Sequence, residues 1–552
     1  MRSLSLFCSL YLFAATEALY AGSATWELNP TSGDWNTAVN WTPETVPNQA
    51  DVATFGNSNA TAISLSAQTD VDSVLFDPNA SAFTVSTAAH DLTFFGTGIV
   101  NNSANEQNFV TGLQDGGIIH FRNNATAGNA YITVYGDALQ SYVFFRDNAT
   151  AGDATFINNG GFGGGVTWFF DFSTAGNGTF YNFSLGDGFN DGVTVFEGHS
   201  TAGTATIFCE GGGTVFHKHS SAANSTLTVS DLGNITFLED AGAADATVIA
   251  NGAPSSEADY GSILFLSGNA TAGDATLIAN RGMNGGQGGL IAFYGETRGH
   301  KARVEVFGNG TLDIRSHSAL APMTIGSLEG DGRVLVGANN LTIGRNHLDT
   351  IFSGVINDGD NGGSITKVGG GTLTLTNASN YTGGTIVESG NLLVDNTIGS
   401  GTGTGPVQVT GGTLGGKGII AGAVTVGTGQ VRHGILAPGI NATGLLTIEQ
   451  TLTFAPRGIY KCSIDTTGVR ADEIAAAGVT ISNEAVFLAV LRSNAVLPIG
   501  TVFTLIENTA AVAISGTFSN LPDGSSFTAG NNTFQASYEG GDGNDLTLTV
   551  VP

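Results

Sequence analysis

Basic side chains are scarce in this chain, so the place where they gather stands out. Arg298, His300, Lys301 and Arg303 fall within six positions, Arg315 and His317 follow, and Glu296, Glu305 and Asp313 lie among them. On one face these residues could hold an anionic partner. Cleavage of an acidic polysaccharide would ask for more, namely clustered Asp/Glu around Ca²⁺ and an Arg or Lys base beside it. The set falls where the repeat described below changes type, so a solvated junction explains it as well. It is kept as a binding patch, with no catalytic residue assigned. His217-Lys218-His219 has the i, i+2 spacing that puts two imidazoles on one side of a strand, but Glu210, the neighbouring acid, belongs to another segment. Without a third ligand no metal site is expected. Gly540-Gly-Asp-Gly-Asn-Asp545 is similar to half of a Ca²⁺-binding turn, yet occurs once and reads as a tight turn. No nucleophile elbow, zincin helix or phosphate loop is present, and no cofactor is expected.

The elements that carry these residues follow from composition. Of 552 residues 81 are Gly, about 15%, and only 12% are charged. Acids number 46 against 18 bases, for a formal charge of −28. A nucleic-acid or anionic-membrane binder needs the opposite sign. Hydrophobic residues at 41% suffice for a long core, and 12 Pro with no three-residue Gly period exclude collagen.

Met1-Arg2, an apolar run from Leu4 to Ala15 and small residues at Ala18, Ala21 and Ala24 form the pattern of a secretory leader, expected to span residues 1–21. Cys209 and Cys462 then remain, too few for a disulfide framework, and are expected as isolated buried thiols. Val486 to Ile506 is interrupted by Arg492, Asn494 and Pro498, so no membrane span is expected in the mature chain.

Repetition fixes the architecture. Asn-Ala-Thr-Ala-Gly-Asx-Ala stands at Asn124–Ala130, Asn148–Ala154 and Asn269–Ala275, with degenerate copies between. With the Gly position as marker, residues 128, 152, 176, 203, 224, 244 and 273 recur at 20 to 29 residues, about 24 on average. Each unit holds two short β-rich pieces around a Gly/Asn turn. That is too short for a propeller blade and fits one coil of a parallel β-helix. The expected fold class is therefore an all-β, right-handed parallel β-helix (solenoid), with atypical β-strand caps at both ends; the handedness comes from the crossover rule. The arithmetic gives about 22 coils at ~4.8 Å each. Gly128, Gly152 and Gly176 should occupy equivalent turns, with Ile132, Phe156 and Phe180 stacked on one face. Trp26, Trp35 and Trp41 read as an edge-sealing cap more than as a sugar platform.

From about Ile325 the repeat changes. Thr366-Lys-Val-Gly-Gly-Gly-Thr-Leu-Thr-Leu-Thr-Asn-Ala-Ser-Asn-Tyr-Thr-Gly-Gly-Thr385, with Val387, Gly390 and Asn391-Leu-Leu-Val394, resembles the autotransporter-associated β-strand repeat. Leu341-Thr-Ile-Gly344, Leu436-Ala-Pro-Gly439 and the ending Phe534 to Leu548 fit the same resemblance. It implies a passenger-like bacterial protein, secreted or at the cell surface. The sequence ends at Val551-Pro552 without the barrel of such proteins, so self-translocation is not expected.

The expected organisation is a leader at 1–21, an N-terminal β cap and first coils at 22–115, Ala-Thr-Ala-Gly coils at 116–324, autotransporter-associated coils at 325–478 and a C-terminal β cap at 479–552. The expected function is an exported structural or adhesin-like protein without catalytic activity. It would present an acidic rod for multivalent contacts with cell-surface glycans or proteins. A polysaccharide-active β-helix enzyme and a passenger fragment without its barrel are the alternatives.

Overall fold

The computed structural model describes residues 22–112, 116–136, 139–186, 190–318, 321–429, 432–439 and 442–552. The leader expected at 1–21 lies outside them. One 24-residue step shows how a coil is built. Ser141–Phe145 forms a strand with alternate residues buried, and the chain turns at Asp147, whose φ is 59°. It passes Asn148–Gly152, forms a second strand at Thr155–Asn158, and loops back to Gly165–Phe169. That last strand pairs in parallel with Ser141–Phe145, residue for residue.

Repetition of this path gives a parallel β-solenoid of about 18 turns, fewer than the 22 from length alone. The terminal segments use residues outside regular coils, which accounts for the shortfall. One sheet runs from Ala24–Trp26 to Val355–Asn357, and a second from Ala62–Ser64 to Val486–Leu491. In the first half the third side is a narrow corner bridged by single residues, Thr126, Thr150, Thr174, Thr201, Ser221, Gly242, Thr271 and Arg298. From Met323–Ile325 onward it widens into a true parallel sheet that continues to Val479–Ile481. The change of repeat read near Ile325 is this change from corner to strand.

The corner explains its own sequence. Each Thr hydroxyl accepts the backbone N–H two residues on, as Gly152 N–H to Thr150 Oγ1 at 3.1 Å. The marker residue then takes φ near 60°, 61° at Gly128 and 62° at Gly152, a region that Gly enters without strain. A Cβ on Gly152 would stand 2.7 Å from the Gly128 carbonyl oxygen, so the stacking of coils also needs a bare Cα. The flanking Ala149, Ala151, Ala175 and Ala202 are fully buried because the corner has room for a methyl only. Thr therefore serves the turn locally instead of forming a hydroxyl ladder along the axis. In the fifth coil of the series the left-handed residue is Ala223, not Asn224, which corrects that marker by one position.

Ile132, Phe156 and Phe180 are register partners in successive coils, and the two Phe rings stack at 4.7 Å. A longer column stands opposite. Phe94, Phe121, Phe145, Phe169, Phe196, Phe216, Phe237, Phe265 and Phe293 are all fully buried and stack ring on ring, 4.5 to 4.9 Å apart. Between the sheets Asn158 Nδ2 donates to Asn182 Oδ1 at 2.7 Å, and Asn182 donates in turn to the Gly213 carbonyl at 2.8 Å. Cys209 and Cys462 are free and buried.

At the N-terminal end Trp26, Trp35 and Trp41 are 2%, 0% and 0% exposed and close around Phe55. They seal the first coil and present no platform. At the other end parallel pairing runs past residue 479, where the cap was expected to begin, to Val486–Leu491. Val502–Asn508 still pairs in parallel with Glu473–Ala476 on one side and turns antiparallel on the other, to Asp545–Val551, followed by Asn532–Gly540 and Ser526–Ala529.

Candidate functional site

Arg298, His300 and Lys301 do not form a loop between domains. Arg298 bridges to Thr271 in the corner series, and His300 has φ 49° where earlier coils carry the marker Gly. Thr297-Arg-Gly-His-Lys-Ala302 is thus the next copy of Ala270-Thr-Ala-Gly-Asp-Ala275, with its chemistry replaced. The following turn is the wider strand Met323–Ile325. A Cβ on Gly299 would meet the Thr324 carbonyl oxygen at 2.4 Å, so Gly takes the place of the usual Ala where narrow corner meets broad strand. The mismatch of widths leaves a step.

That step is a cavity of about 350 Å³ whose lining includes Glu296, Arg298, His300, His317, Met323 and Arg345. Three of the six residues expected in the patch, Arg298, His300 and His317, line it, while the other three are neutralised elsewhere. Lys301 pairs with Asp274 at 3.7 Å, Arg303 with Glu329 at 2.6 Å and Glu305 at 2.9 Å, and Arg315 with Asp313 at 2.6 Å. Arg345 escaped sequence reading because it follows the strand Asn340–Ile343, one coil beyond the cluster. Arg298 donates to Asn269 Oδ1 at 3.4 Å. Among the described residues neither Arg298 nor Arg345 has a carboxylate within ion-pair distance.

His317 is 8% exposed, and its Nε2 lies 2.9 Å from the Thr297 carbonyl oxygen. A carbonyl only accepts, so Nε2 carries a proton. Nδ1 is buried without a partner. In the neutral ring it is a bare acceptor, a costly thing to bury.

Other sequence candidates resolve as structure. His217-Lys218-His219 lies in a corner turn and not on a strand, since Lys218 has φ 56°. His219 stacks on His199 at 5.2 Å, and Lys218 pairs with Glu197. Gly540–Asp545 closes the hairpin between the last two strands. Among the described residues no group of three or more His, Cys, Asp or Glu is placed to hold a metal, and no helix is long and apolar enough to cross a membrane.

The coil after the cavity turns carries the second repeat. Strands Ser364–Lys367, Thr372–Leu375, Thr385–Val387 and Asn391–Val394 lie in register with their neighbours on two sheets. Residues 365–394 match the Passenger-associated-transport-repeat family. This stretch is similar to a passenger repeat. A 120-residue part of the chain, 22% of it, is 36% identical to 3% of the "Adhesin BmaC autotransporter" of Brucella suis biovar 1 (strain 1330). A 177-residue part, 31% of the chain, is 30% identical to 16% of the "Extracellular serine protease" of Serratia marcescens. The chain therefore spans less than a fifth of either relative. The crystal structure of the Haemophilus influenzae Hap adhesin aligns over 93% of this chain and 65% of that one, at 12% identity and a TM-score of 0.28.

Inside the passenger repeat the Lys-x-Gly-Gly-Gly run has a physical reason that sequence reading did not find. Lys367 is 1% exposed and donates to the Val368 carbonyl at 2.6 Å, with that of Gly369 at 3.5 Å. A Cβ on Gly390 would stand 2.9 Å from the Lys367 nitrogen, so Gly390 leaves room for the buried ammonium, while Cβ atoms on Gly369 and Gly371 would meet the carbonyl oxygens of Gly344 at 1.9 Å and Leu348 at 2.3 Å on the preceding coil. Burial pushes its pKa down to about 8, partly opposed by Asp349. An unfolded chain holds that proton to about pH 10.4. Between those values the unfolded state binds more protons, and folding strengthens as pH rises. The stability of the parent relative to Lys367→Met should climb from about pH 8 to 10.4 and be lost as pH falls through 8. A difference in urea midpoints that ignores pH would show that the ammonium stays charged in the folded coil.

Proposed function

We propose that the chain is an exported, passenger-type solenoid at or outside a bacterial surface, an adhesin-like rod whose coils make many weak contacts with cell-surface glycans or proteins. The observation that carries this reading is the passenger repeat at 365–394, set in register within an unbroken ladder from Ala62–Ser64 to Val486–Leu491. Two further features support it. With 46 acids and 18 bases the rod repels polyanions and itself, which keeps copies apart. The coils repeat one geometry, so weak contacts add through effective concentration.

The test compares beads densely coated with the protein to the same protein free in solution, on cultured cells and on glycan-coated surfaces. Beads should be retained about 10²-fold or more above the single rod, and incubation with polysaccharides should release no oligosaccharide. Equal retention of coated and bare beads would remove the adhesive reading. Oligosaccharide release would replace it with an enzyme.

A further inference from the structure

We infer that the cavity between the last narrow corner and the first broad strand binds a single carboxylate-bearing sugar unit, a uronic acid or its like at a glycan terminus. This deepens the contact reading above, on which it rests for the presence of glycan outside the cell. The volume of about 350 Å³ sits at the low end of small-molecule sites, room for one sugar ring. Arg298 and Arg345 bring two guanidinium groups to its wall with no carboxylate partner among the described residues. Guanidinium forks match a carboxylate in a planar, two-bond arrangement. The remaining polar groups ask for hydrogen-bond donors. Glu296 lines the cavity, and buried Nδ1 of His317 lacks a partner. A ligand that satisfies both sets carries one anion and several hydroxyls. Ala321, Pro322 and Met323 form an apolar wall suited to the C–H face of a ring.

Two competing ligands fit less well. A polyanion would approach a chain of formal charge −28 against its field, whereas a single carboxylate meets mainly the local cations. A peptide C-terminus supplies the carboxylate but not the hydroxyls that Glu296 and His317 would accept from.

The test titrates the purified chain with sodium D-glucuronate, D-glucose and N-acetylglycine, followed by ligand-observed NMR. Glucuronate should bind at least about tenfold more tightly than either other probe. Arg345→Gln and Arg298→Gln, both at exposed positions, should each weaken glucuronate about tenfold, the loss of one charge-assisted hydrogen bond. His317→Gln should weaken it too, and the two Arg variants keep the test valid if that buried change unfolds the coil. Equal binding of glucuronate and glucose, or unchanged binding by Arg345→Gln, overturns the inference. N-acetylglycine binding as tightly as glucuronate overturns it in favour of a peptide carboxylate. Failure here with beads still adherent rejects the cavity alone, and glucuronate binding with inert beads rejects the adhesive reading alone.

Discussion

Phe169→Ala should cost about 3–5 kcal/mol of stability, the range for truncating a large aromatic in a closed core. Phe169 stands mid-column, 4.6 Å from Phe145 and 4.9 Å from Phe196, with Phe180 edge-on at 5.9 Å. All four are fully buried, and the coils above and below hold the gap open. In a solenoid each coil touches mainly its neighbours, so the damage stays local. Limited proteolysis should cut first between residues 141 and 196, before the rest of the chain gives way. Ile398→Ala, at a side chain 72% exposed, should stay within about 0.5 kcal/mol of the parent. A Phe169→Ala loss below about 1 kcal/mol would mean that the column does not carry the core.

The other large effect comes from deleting residues 502–552. The cut belongs there and not at Val479, because Val479–Ile481 and Val486–Leu491 still pair as coil. The deletion removes Phe503, Leu505, Ile506, Phe534, Leu546 and Leu548, all buried. At about 1.5–3 kcal/mol each, their burial amounts to about 9–18 kcal/mol. It also strips the carbonyl of Leu505 from the Tyr460 hydroxyl, 2.8 Å away, and opens the edge at Glu473–Ala476. Open edges pair with other copies. The truncated rod should aggregate in sedimentation and lose protease resistance along its C-terminal coils, with any glucuronate binding unchanged. A monomeric, equally resistant product would make the segment an independent module, and binding should then be sought in it.

The coil was legible because its corner is written in residue types with few substitutes. Gly at 128, 152 and 176 marks left-handed backbone, and Thr two residues earlier marks the hydroxyl that closes the turn. Where other residues take that conformation, at Ala223 and His300, the marker slipped or vanished. The sequence therefore reads His300 as part of a junction, although it continues the corner series. The rings of the column stand at a steady distance before the corner, five residues from Phe145 to Thr150 and from Phe169 to Thr174, with the variable loops ahead of their strands; the spacing is present in the sequence, and only register pairing shows that the rings stack. Half of the basic patch was misleading for a similar reason. The acids that neutralise Lys301 and Arg303 include Asp274 and Glu329, on the coils before and after. Arg345 came to the cavity by the same route, from a coil away.

The pairing direction has a mechanical consequence. Strands bond to strands one coil away, as Ser141–Phe145 does to Gly165–Phe169, so the hydrogen bonds between coils point along the long axis. A pull on the two ends peels these bonds open one turn at a time, instead of shearing them together. Each 24-residue turn, such as Thr126 to Thr150, then yields about 80 Å of extended chain, while the turns behind it stay folded. Under tension such a rod lengthens in steps at nearly constant force, and the load it transmits is capped by the weakest turn at its end.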